Sequence, residues 1–492
     1  MKSLSLLIFF IASSNFYLLA QDTLYLDLER VLTQAIEQAI DLKIARSETI
    51  EQQFAFEHSR MAFRPQLFLN ATLPNLNRSI EARPLPDGSD AFVNQSSMYN
   101  GIGVELNIQL EKTAGTLALG SHLERLDVFE TDQFDYQRTY FFNPVSITYT
   151  QPLFSFNELK WRKERLALLY AEFQERYART REDIILNAVI LFRNCFMAQE
   201  RVQLASNEMR ETDSLMIIKE RLFAIGQGSQ SELLRLSLNQ KNNNLHYNRM
   251  VLAWRQAQLA LSDFIGLPRE NYMLKLEKPS PLQEITISVA DAMEYVVRND
   301  FYTANFQRRT AEANATLAKA QKNQDITLDL QISLGLNSSA PTVGNLFDPL
   351  LDREIFRARV RMPLTGYKKY SLEKKIATEG FEQEKLRQQQ ERIDLSREAF
   401  DLATDFTLLK QSLKIQEENS RTAVEILNIT RLQFLAGNAS FTDISLAAKQ
   451  REEAVLDYYG ALLDIIERYY QIRRLCMYDF VHDRPLAEIQ EK

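Results

Sequence analysis

The sequence predicts a mainly α-helical fold combined with a membrane β-barrel, and three observations carry this prediction. The 492-residue chain repeats itself at an offset of 211 residues, since Gln151-Pro-Leu returns as Met362-Pro-Leu and the segment 223–233 returns as 434–444. Helical periodicity continues for about 68 residues in places. Shorter segments alternate apolar and polar side chains, as barrel strands do. We expect long coiled-coil-like helical hairpins, about four barrel strands per chain and an internal two-fold repeat, which together build a tube.

The composition narrows the function classes. The net charge is −7 and no basic block occurs, so nucleic acid is not an expected partner. Glycine and proline are scarce, with 14 and 13 residues, which favours long helices over a loop-rich chain. The two cysteines and four histidines show no disulfide or ligand spacing, and no P-loop, zinc-protease or nucleophile-elbow motif occurs. The sequence therefore predicts no enzyme, no cofactor and no metal site.

The N-terminus predicts a secretory signal peptide at residues 1–20. Lys2 supplies the positive charge, an apolar run follows, and Ala20 precedes the polar Gln21. An uncleaved membrane anchor is the alternative. No later apolar run reaches the roughly 18 residues of a spanning helix, so we expect any membrane crossing to be made by β-strands.

Two repeats are expected to flank a short linker. The first repeat covers 21–266 and the second covers 290–478, while 267–289 forms a waist and 479–492 a tail at that waist. Each repeat has a half-length helix (about 28–62 and 290–322), a strand hairpin (65–152 and 326–363) and a long helical hairpin with its tip at 226–231 or 437–442. A helix of about 68 residues is about 100 Å long, so each tip is expected far from the strands.

The predicted strands have two different faces. In the segment 356–362, apolar residues alternate with three arginines, Arg357, Arg359 and Arg361. We expect these arginines to face the barrel lumen because a lipid-facing charge is costly. They would either bias the passage of anions or simply be solvated in the lumen, and the second interpretation is preferred.

The first strand hairpin is longer than the second by 48 residues, which contain two more alternating segments at 102–110 and 116–123. These segments would form either an extra pair of barrel strands or a hairpin outside the membrane, and the sequence leaves both alternatives open.

Several short motifs recur in a characteristic order. They are Asp41-Leu42, Pro65-Gln66-Leu67, Gln151-Pro152-Leu153-Phe154 and the two glycine-centred turns. In this order and spacing they resemble the TolC-type outer-membrane efflux protein family, over about residues 24–480.

The resemblance implies a homotrimer in the outer membrane of a Gram-negative bacterium, with the helical portion in the periplasm. Three chains with four strands each would form a 12-stranded barrel, and the helices would form a tunnel. Implied partners are outer-membrane lipid, a periplasmic adaptor (membrane fusion) protein and an inner-membrane pump of the RND or ABC type, which together export drugs, metals or polypeptides. Physical reasoning agrees, because four strands cannot close a barrel with a lumen, whereas three copies leave no free edge.

The tips are the expected functional site. Gly226 and Gly437 would end the long helices at positive φ, and Ser229 and Ser440 would cap the returning helices. Two acids, Glu232 and Asp443, follow three residues later. A purely structural role at the helix N-terminus is preferred for them, and the alternative is a ring of carboxylates that lines the closed tip.

The tip departs from the family pattern. The resemblance implies two aspartates one turn apart, but only Asp443 matches, since Leu446 occupies the second position. Ala439 stands where some members carry a latching arginine. Leu233 and Ile444 are candidates for adaptor contact, with a place in the bundle core as the equal alternative.

Pro152 and Pro363 are predicted to mark the junction of barrel and helices. The leading functional prediction is a passive export duct. The alternative is a secreted coiled-coil structural or adhesion protein without a pore.

Overall fold

The computed structural model describes residues 22–84, 89–130, 135–226, 229–267, 272–281, 285–322, 326–362 and 364–486. The predicted signal peptide at 1–20 and the predicted junction residue Pro363 lie outside these residues, as do parts of the predicted waist and tail.

Helices dominate the fold, and the predicted class of long helices combined with an antiparallel sheet is confirmed. The described residues form eight α-helices: α1 (Leu28–Gln38), α2 (Ile40–Met61), α3 (Glu158–Ala224), α4 (Gln230–Phe264), α5 (Val289–Arg298), α6 (Asp300–Lys322), α7 (Tyr367–Leu435) and α8 (Phe441–Cys476). The same residues form ten strands: β1 (Asp22–Leu26), β2 (Gln66–Pro84), β3 (Asp90–Gln109), β4 (Thr116–Val128), β5 (Gln137–Leu153), β6 (Tyr272–Leu276), β7 (Thr327–Ala340), β8 (Leu351–Arg361), β9 (Tyr478–Asp479) and β10 (Arg484–Pro485).

The chain divides into two compact units. The helical unit contains the described residues up to Ser47, those of Gln174–Tyr302 and those from Glu391 onward. The sheet unit contains those of Glu48–Phe173 and Thr303–Gln390. The main sheet lies in the sheet unit, whereas the turns that join α3 to α4 and α7 to α8 lie in the helical unit.

The two long helices have the expected lengths, with 67 residues in α3 and 69 in α7. The two helices predicted at about 28–62 and 290–322 are each broken once, a feature that their helical periodicity did not indicate. The breaks fall at Ala39 and Asn299, which share nearly the same backbone angles (φ −57°, ψ 117° and φ −59°, ψ 119°). The Asn299 side chain accepts a hydrogen bond from the Phe301 N–H at 2.9 Å and donates one to the Leu475 carbonyl at 2.9 Å. Asn299 therefore caps the N-terminus of α6, and its second hydrogen bond joins the break to α8.

The sheet unit contains one six-stranded antiparallel sheet in the order β2-β3-β4-β5-β7-β8. β3 and β4 contain the two additional alternating segments and lie between β2 and β5 in this sheet. The sheet therefore has six strands where the sequence predicted about four, and the extra pair is not a separate hairpin. β2 and β8 form the two edges.

The strand register gives the sheet two chemically different faces. One row is aliphatic across five strands, with Leu67, Leu106, Leu119, Ile147 and Leu334, and it ends at Glu354 on the edge strand β8. A row on the opposite face contains Gln109, Thr116, Thr150, Gln331 and Arg357. Many of the aliphatic side chains are exposed, for example Leu67 at 69%. An apolar face of this kind needs an apolar environment outside the chain.

The helical unit contains two large hydrophobic cores. One surrounds Phe192, Leu261 and Leu274, and the other surrounds Phe406 and Tyr469, all of which are at most 2% exposed. The short strands β1 and β6 pair in parallel, so the N-terminal segment and the central linker are joined by backbone hydrogen bonds.

A buried polar network lies at the end of α8. Asp479 accepts hydrogen bonds from the Tyr469 hydroxyl and from His482 Nδ1, both at 2.9 Å, and Arg473 lies between Asp479 (3.9 Å) and Glu182 (3.0 Å). Burial alone would raise the pKa of Asp479, but the bond from His482 and the charge of Arg473 outweigh it and lower the pKa. Asp479 is therefore an ionised carboxylate at neutral pH.

None of the described helices combines the length and the apolar character that a membrane-spanning helix requires.

Candidate functional site: the helix turns and the two-faced sheet

The turn between α3 and α4 begins at Gly226, whose φ of 79° is in the left-handed region. A Cβ at this position would meet nothing within 4 Å, so the backbone angle rather than crowding requires glycine. Ser229 is the N-cap of α4, and its hydroxyl accepts a hydrogen bond from the Ser231 N–H at 3.3 Å. Residues 227–228 lie outside the described residues.

The turn between α7 and α8 has the same plan with a more complete cap. Gly437 has a φ of 78°, and Ser440 is the N-cap of α8. The Ser440 hydroxyl accepts from the Asp443 N–H at 3.2 Å, while the Asp443 carboxylate accepts from the Ser440 N–H at 2.8 Å. The hydrogen bond from the Ser440 hydroxyl and, to a smaller extent, the one from the Ser440 N–H lower the pKa of Asp443.

Glu232 makes a different contact from Asp443. Its carboxylate binds Lys219 Nζ of α3 at 3.3 Å, and the same ammonium lies 4.5 Å from the ring centroid of Phe434 on α7. Lys219 is largely buried, with 20% of its side chain exposed. Through its contacts with Glu232 and Phe434 it links α3, α4 and α7 next to the two turns. No sequence pattern indicated Lys219, because a lysine within a long charged helix carries no distinctive signal.

A small hydrophobic core packs the two turns together. Its buried members are Leu215, Leu236, Leu427, Phe434, Ile444 and Ala447. Ile444 is 7% exposed, so its side chain occupies the bundle core within this chain. Leu233 is half-buried, and its neighbour Leu234 is 66% exposed.

Two of the long helices carry apolar stripes that are exposed in the single chain. On α4 the stripe repeats every seven residues and consists of Leu238, Leu245, Leu252 and Leu259, with exposures between 51% and 61%. On α7 the same spacing gives Leu386, Ile393 and Phe400. A seven-residue apolar repeat is the pattern of a helix packed against another helix.

The predicted lumen arginines share the polar face of β8. Arg357, Arg359 and Arg361 stand opposite Gln331, Asp329 and Thr327 of β7. Arg357 Nη1 donates to the Gln331 side chain at 3.1 Å. Pro152 is paired with Asp329 near the end of β5, next to the start of α3.

The comparisons with known proteins agree with this geometry. Residues 296–476 match the family model described as outer membrane efflux protein. This chain carries an outer membrane efflux protein domain. The resemblance expected from the motifs is thereby confirmed, and the matched family is one of efflux channels rather than of enzymes.

Solved outer-membrane channels share the fold at low sequence identity. The Campylobacter jejuni CmeC outer membrane channel has a TM-score of 0.66 and 13% identity, and the alignment covers 91% of this chain and 85% of that one. The Neisseria gonorrhoeae MtrE outer membrane channel, in its open state, has a TM-score of 0.60 and 15% identity over 91% and 88% of the two chains. The Vibrio cholerae outer membrane protein VceC has a TM-score of 0.61 and 12% identity over 92% and 95%. No curated protein matches the sequence significantly.

The matched family domain indicates an outer-membrane location and a role in efflux, and the solved channels show that the fold is shared. In the efflux domain of this chain, the two positions that depart from the expected tip pattern are apolar in the structure as well. Ala439 packs on the small core under the turns, and Leu446 is 55% exposed on α8. Lys219 is a cation next to the turns, where it pairs with Glu232. Among the described residues, no group of three or more His, Cys, Asp or Glu side chains is arranged to hold a metal ion.

Proposed function

We propose that this protein is the outer-membrane duct of a tripartite export system, active as a homotrimer with a periplasmic adaptor and an inner-membrane pump. The observation that carries this proposal is the two-faced sheet: one face is aliphatic and exposed, the other is polar, and both edge strands are unpaired within the described chain. In a membrane protein these features are satisfied by a closed barrel with lipid outside and water inside.

Closure requires further copies of the chain. β2 of one copy pairing with β8 of the next would remove both free edges. Because each chain supplies six strands, a trimer would contain about 18 strands rather than the 12 expected from sequence. The exposed heptad stripes on α4 and α7 support the same assembly, since each would be covered by a helix of a neighbouring copy.

In this duct the helix turns would form the periplasmic tip. Gly226, Gly437 and the serine caps would set the backbone of the tip, and Lys219 would hold its three helices in the closed arrangement. Glu232 and Asp443 serve ion pairing and capping within one chain, which favours a structural role for both acids. We assign adaptor contact to Leu233 and the exposed Leu234, because Ile444 is buried.

The arginines of β8 would line the lumen. Arg357, Arg359 and Arg361 lie on the polar face and are exposed, while the opposite face of β8 carries Phe356 and Val360, which are 71% and 64% exposed. A charge on the lipid side would be costly, so the polar face is the one that meets water. Pro152, near the end of β5, would then mark the exit from the barrel.

A conductance experiment tests the pore. Purified protein in planar bilayers should form ion channels, and the native protein should fractionate with the outer membrane. The alternative of a secreted coiled-coil adhesin predicts neither result. Absence of channels together with recovery in the soluble fraction would refute the duct.

The trimer is tested separately with two exposed leucines. Leu252→Glu places a charge in the α4 stripe and should shift the protein from trimer to monomer in light scattering. Leu446→Glu is the matched control, because Leu446 is similarly exposed (55% against 59%) but lies outside the stripe. Equal assembly of both variants would contradict the proposed interface.

Adaptor contact is tested by a pull-down. Wild type should capture a coexpressed periplasmic adaptor, and Leu234→Arg should not. Equal capture would show that the turns are not the docking site.

A further inference from the structure

The junction between the sheet and the long helices carries an unusual group of exposed basic and apolar side chains. We propose that this junction patch, defined as Phe154, Lys160, Leu364, Lys368, Lys374 and Lys375, binds the headgroups of anionic phospholipids in the leaflet that faces the helices. The inference rests on the proposed function, because it assumes that the sheet crosses a membrane.

The patch begins where the apolar face of the sheet ends. Leu153 and Val360 share one row across β7. Two strand spacings separate these residues, so the chains leaving β5 and β8 start about 10 Å apart. The apolar character continues past the strands through Met362 and Leu364, which are 47% and 78% exposed. Both segments of the patch therefore start at the same level, at the end of the apolar face.

The backbone at Phe154 points to a role for its ring. Phe154 has a φ of 65°, a left-handed conformation that is unfavourable for a residue with a bulky side chain. Phe154 is nevertheless 61% exposed, so burial of its side chain in the chain does not account for this conformation. Aromatic rings are enriched at membrane interfaces, where an apolar body meets the headgroups.

The lysines of the patch are not explained by helix stability. The first turn of α7 contains no acid, whereas α1, α3, α4, α5 and α8 each have one in their first turn. Lys368 in that turn opposes the helix dipole, which favours negative charge at an N-terminus. Lys368, Lys374 and Lys375 are exposed, and none has a carboxylate within 4 Å in the part of the chain that the structure describes. An external anion would satisfy all three.

The charge pattern favours lipid phosphates as that anion. Two acids near the patch are already paired within the chain, Glu158 with Lys319 at 3.6 Å and Glu373 with Lys369 at 3.9 Å, whereas Glu379 lies one turn beyond Lys375 and is exposed. The remaining lysines next to exposed apolar and aromatic groups match the combination that holds proteins at an anionic bilayer surface.

Vesicle partitioning tests the proposal. Detergent-solubilised protein is mixed with vesicles of phosphatidylcholine alone or of phosphatidylcholine with phosphatidylglycerol, and the vesicle-bound fraction is measured by flotation. Wild type should prefer the anionic vesicles, and Lys368→Gln/Lys374→Gln/Lys375→Gln should lose most of this preference, by up to about five-fold per lysine. Lys43→Gln/Lys241→Gln/Lys414→Gln is the matched control, because these three lysines are also exposed but lie in the helical unit.

Each outcome decides a different point. The triple variant and the wild type could both insert into both kinds of vesicle and show the same preference for anionic vesicles. This result would overturn the lipid site but leave the duct intact. Failure to insert into either vesicle would count against the duct itself. Loss of the trimer in the junction variant would assign the lysines to a neighbouring copy and overturn the proposal. Suppression of the preference by free glycerol phosphate at constant ionic strength would show that phosphate is recognised without the bilayer, and would also overturn it.

Discussion

The six-stranded sheet makes a quantitative prediction about pore width. With strands about 4.8 Å apart and tilted by about 40°, an 18-stranded barrel has a backbone diameter of about 36 Å and a 12-stranded barrel about 24 Å. After about 5 Å is subtracted on each side for inward side chains, the lumens are about 26 Å and about 14 Å wide. Their cross-sections differ by roughly a factor of three.

The register shows how to remove two strands cleanly. Asn77, Ser97, Val128 and Gln137 form one row across β2 to β5, and Leu67 and Ile147 belong to another. One register shift separates the two rows between β2 and β3, and an opposite shift separates them between β4 and β5. The two shifts cancel. If β2 paired directly with β5, Asn77 would therefore face Gln137 and Leu67 would face Ile147 in one continuous register. Replacing residues 78–136 by an Asn-Gly turn should therefore give a regular hairpin with four strands left in the sheet.

We expect this four-strand variant to have a lower conductance and a narrower lumen. Neutral polymers of about 10 Å radius, added from the side of the sheet, should enter the wild-type lumen but not that of the variant. Replacing only residues 78–96 by Asn-Gly is the matched control, since it shortens the β2–β3 hairpin where those strands pair only with each other and keeps all six strands. The same polymer cut-off in all three trimeric proteins would refute the 18-stranded barrel.

Three further predictions concern the helical unit. Lys219→Met removes the ion pair to Glu232 and the contact with Phe434, together worth about 1–2 kcal/mol. Lys219→Met should raise the open probability in single-channel recordings roughly ten-fold, whereas Lys219→Arg should not. Equal open probabilities in the two variants would show that Lys219 does not hold the closed arrangement. Ser440→Ala should destabilise the first turn of α8 by about 1 kcal/mol, and Ser229→Ala should destabilise α4 less, because of these two serines only Ser440 completes a capping box. Hydrogen exchange of the first-turn amides measures both effects. Equal losses of protection in the two variants would contradict the predicted difference. The folded pKa of Asp479 is lowered, so its stabilisation is complete above the unfolded value of about 4 and is lost as the pH falls through the folded pKa. The melting temperature should therefore drop on acidification below about pH 4, and Asp479→Asn should flatten this dependence; an unchanged slope would refute the assignment.

Local chemistry made much of the fold predictable from the sequence. The scarcity of glycine and proline, with neither in α3 and only Gly380 in α7, gave helices of the expected length, and Gly226 and Gly437 follow them at positive φ. Strict alternation identified β7 and β8 and placed the arginines of β8 on one face. Such features depend on the backbone preferences of a few neighbouring residues, which a single sequence contains.

Features that depend on distant partners could not be predicted in this way. The break at Asn299 is fixed partly by the Leu475 carbonyl of α8, 176 residues away. The place of β3 and β4 depends on which strands they pair with, and alternation is the same for a separate hairpin and for a larger sheet. Lys219 becomes notable only when α4 and α7 are packed beside α3.

The two turns show how a repeated pattern acquired two different structures. Both read Ser-x-x-acid, yet Asp443 bonds back to its cap and Glu232 bonds to a lysine. At the repeat offset the counterpart of Lys219 is Thr430, which has no charge to offer. An acid without a cation in reach completes its own cap, whereas an acid beside Lys219 joins two helices. Two differences between the halves, Lys219 against Thr430 and Glu232 against Asp443, therefore give the first turn an ion pair between α3 and α4 and the second turn a capping box closed within α8.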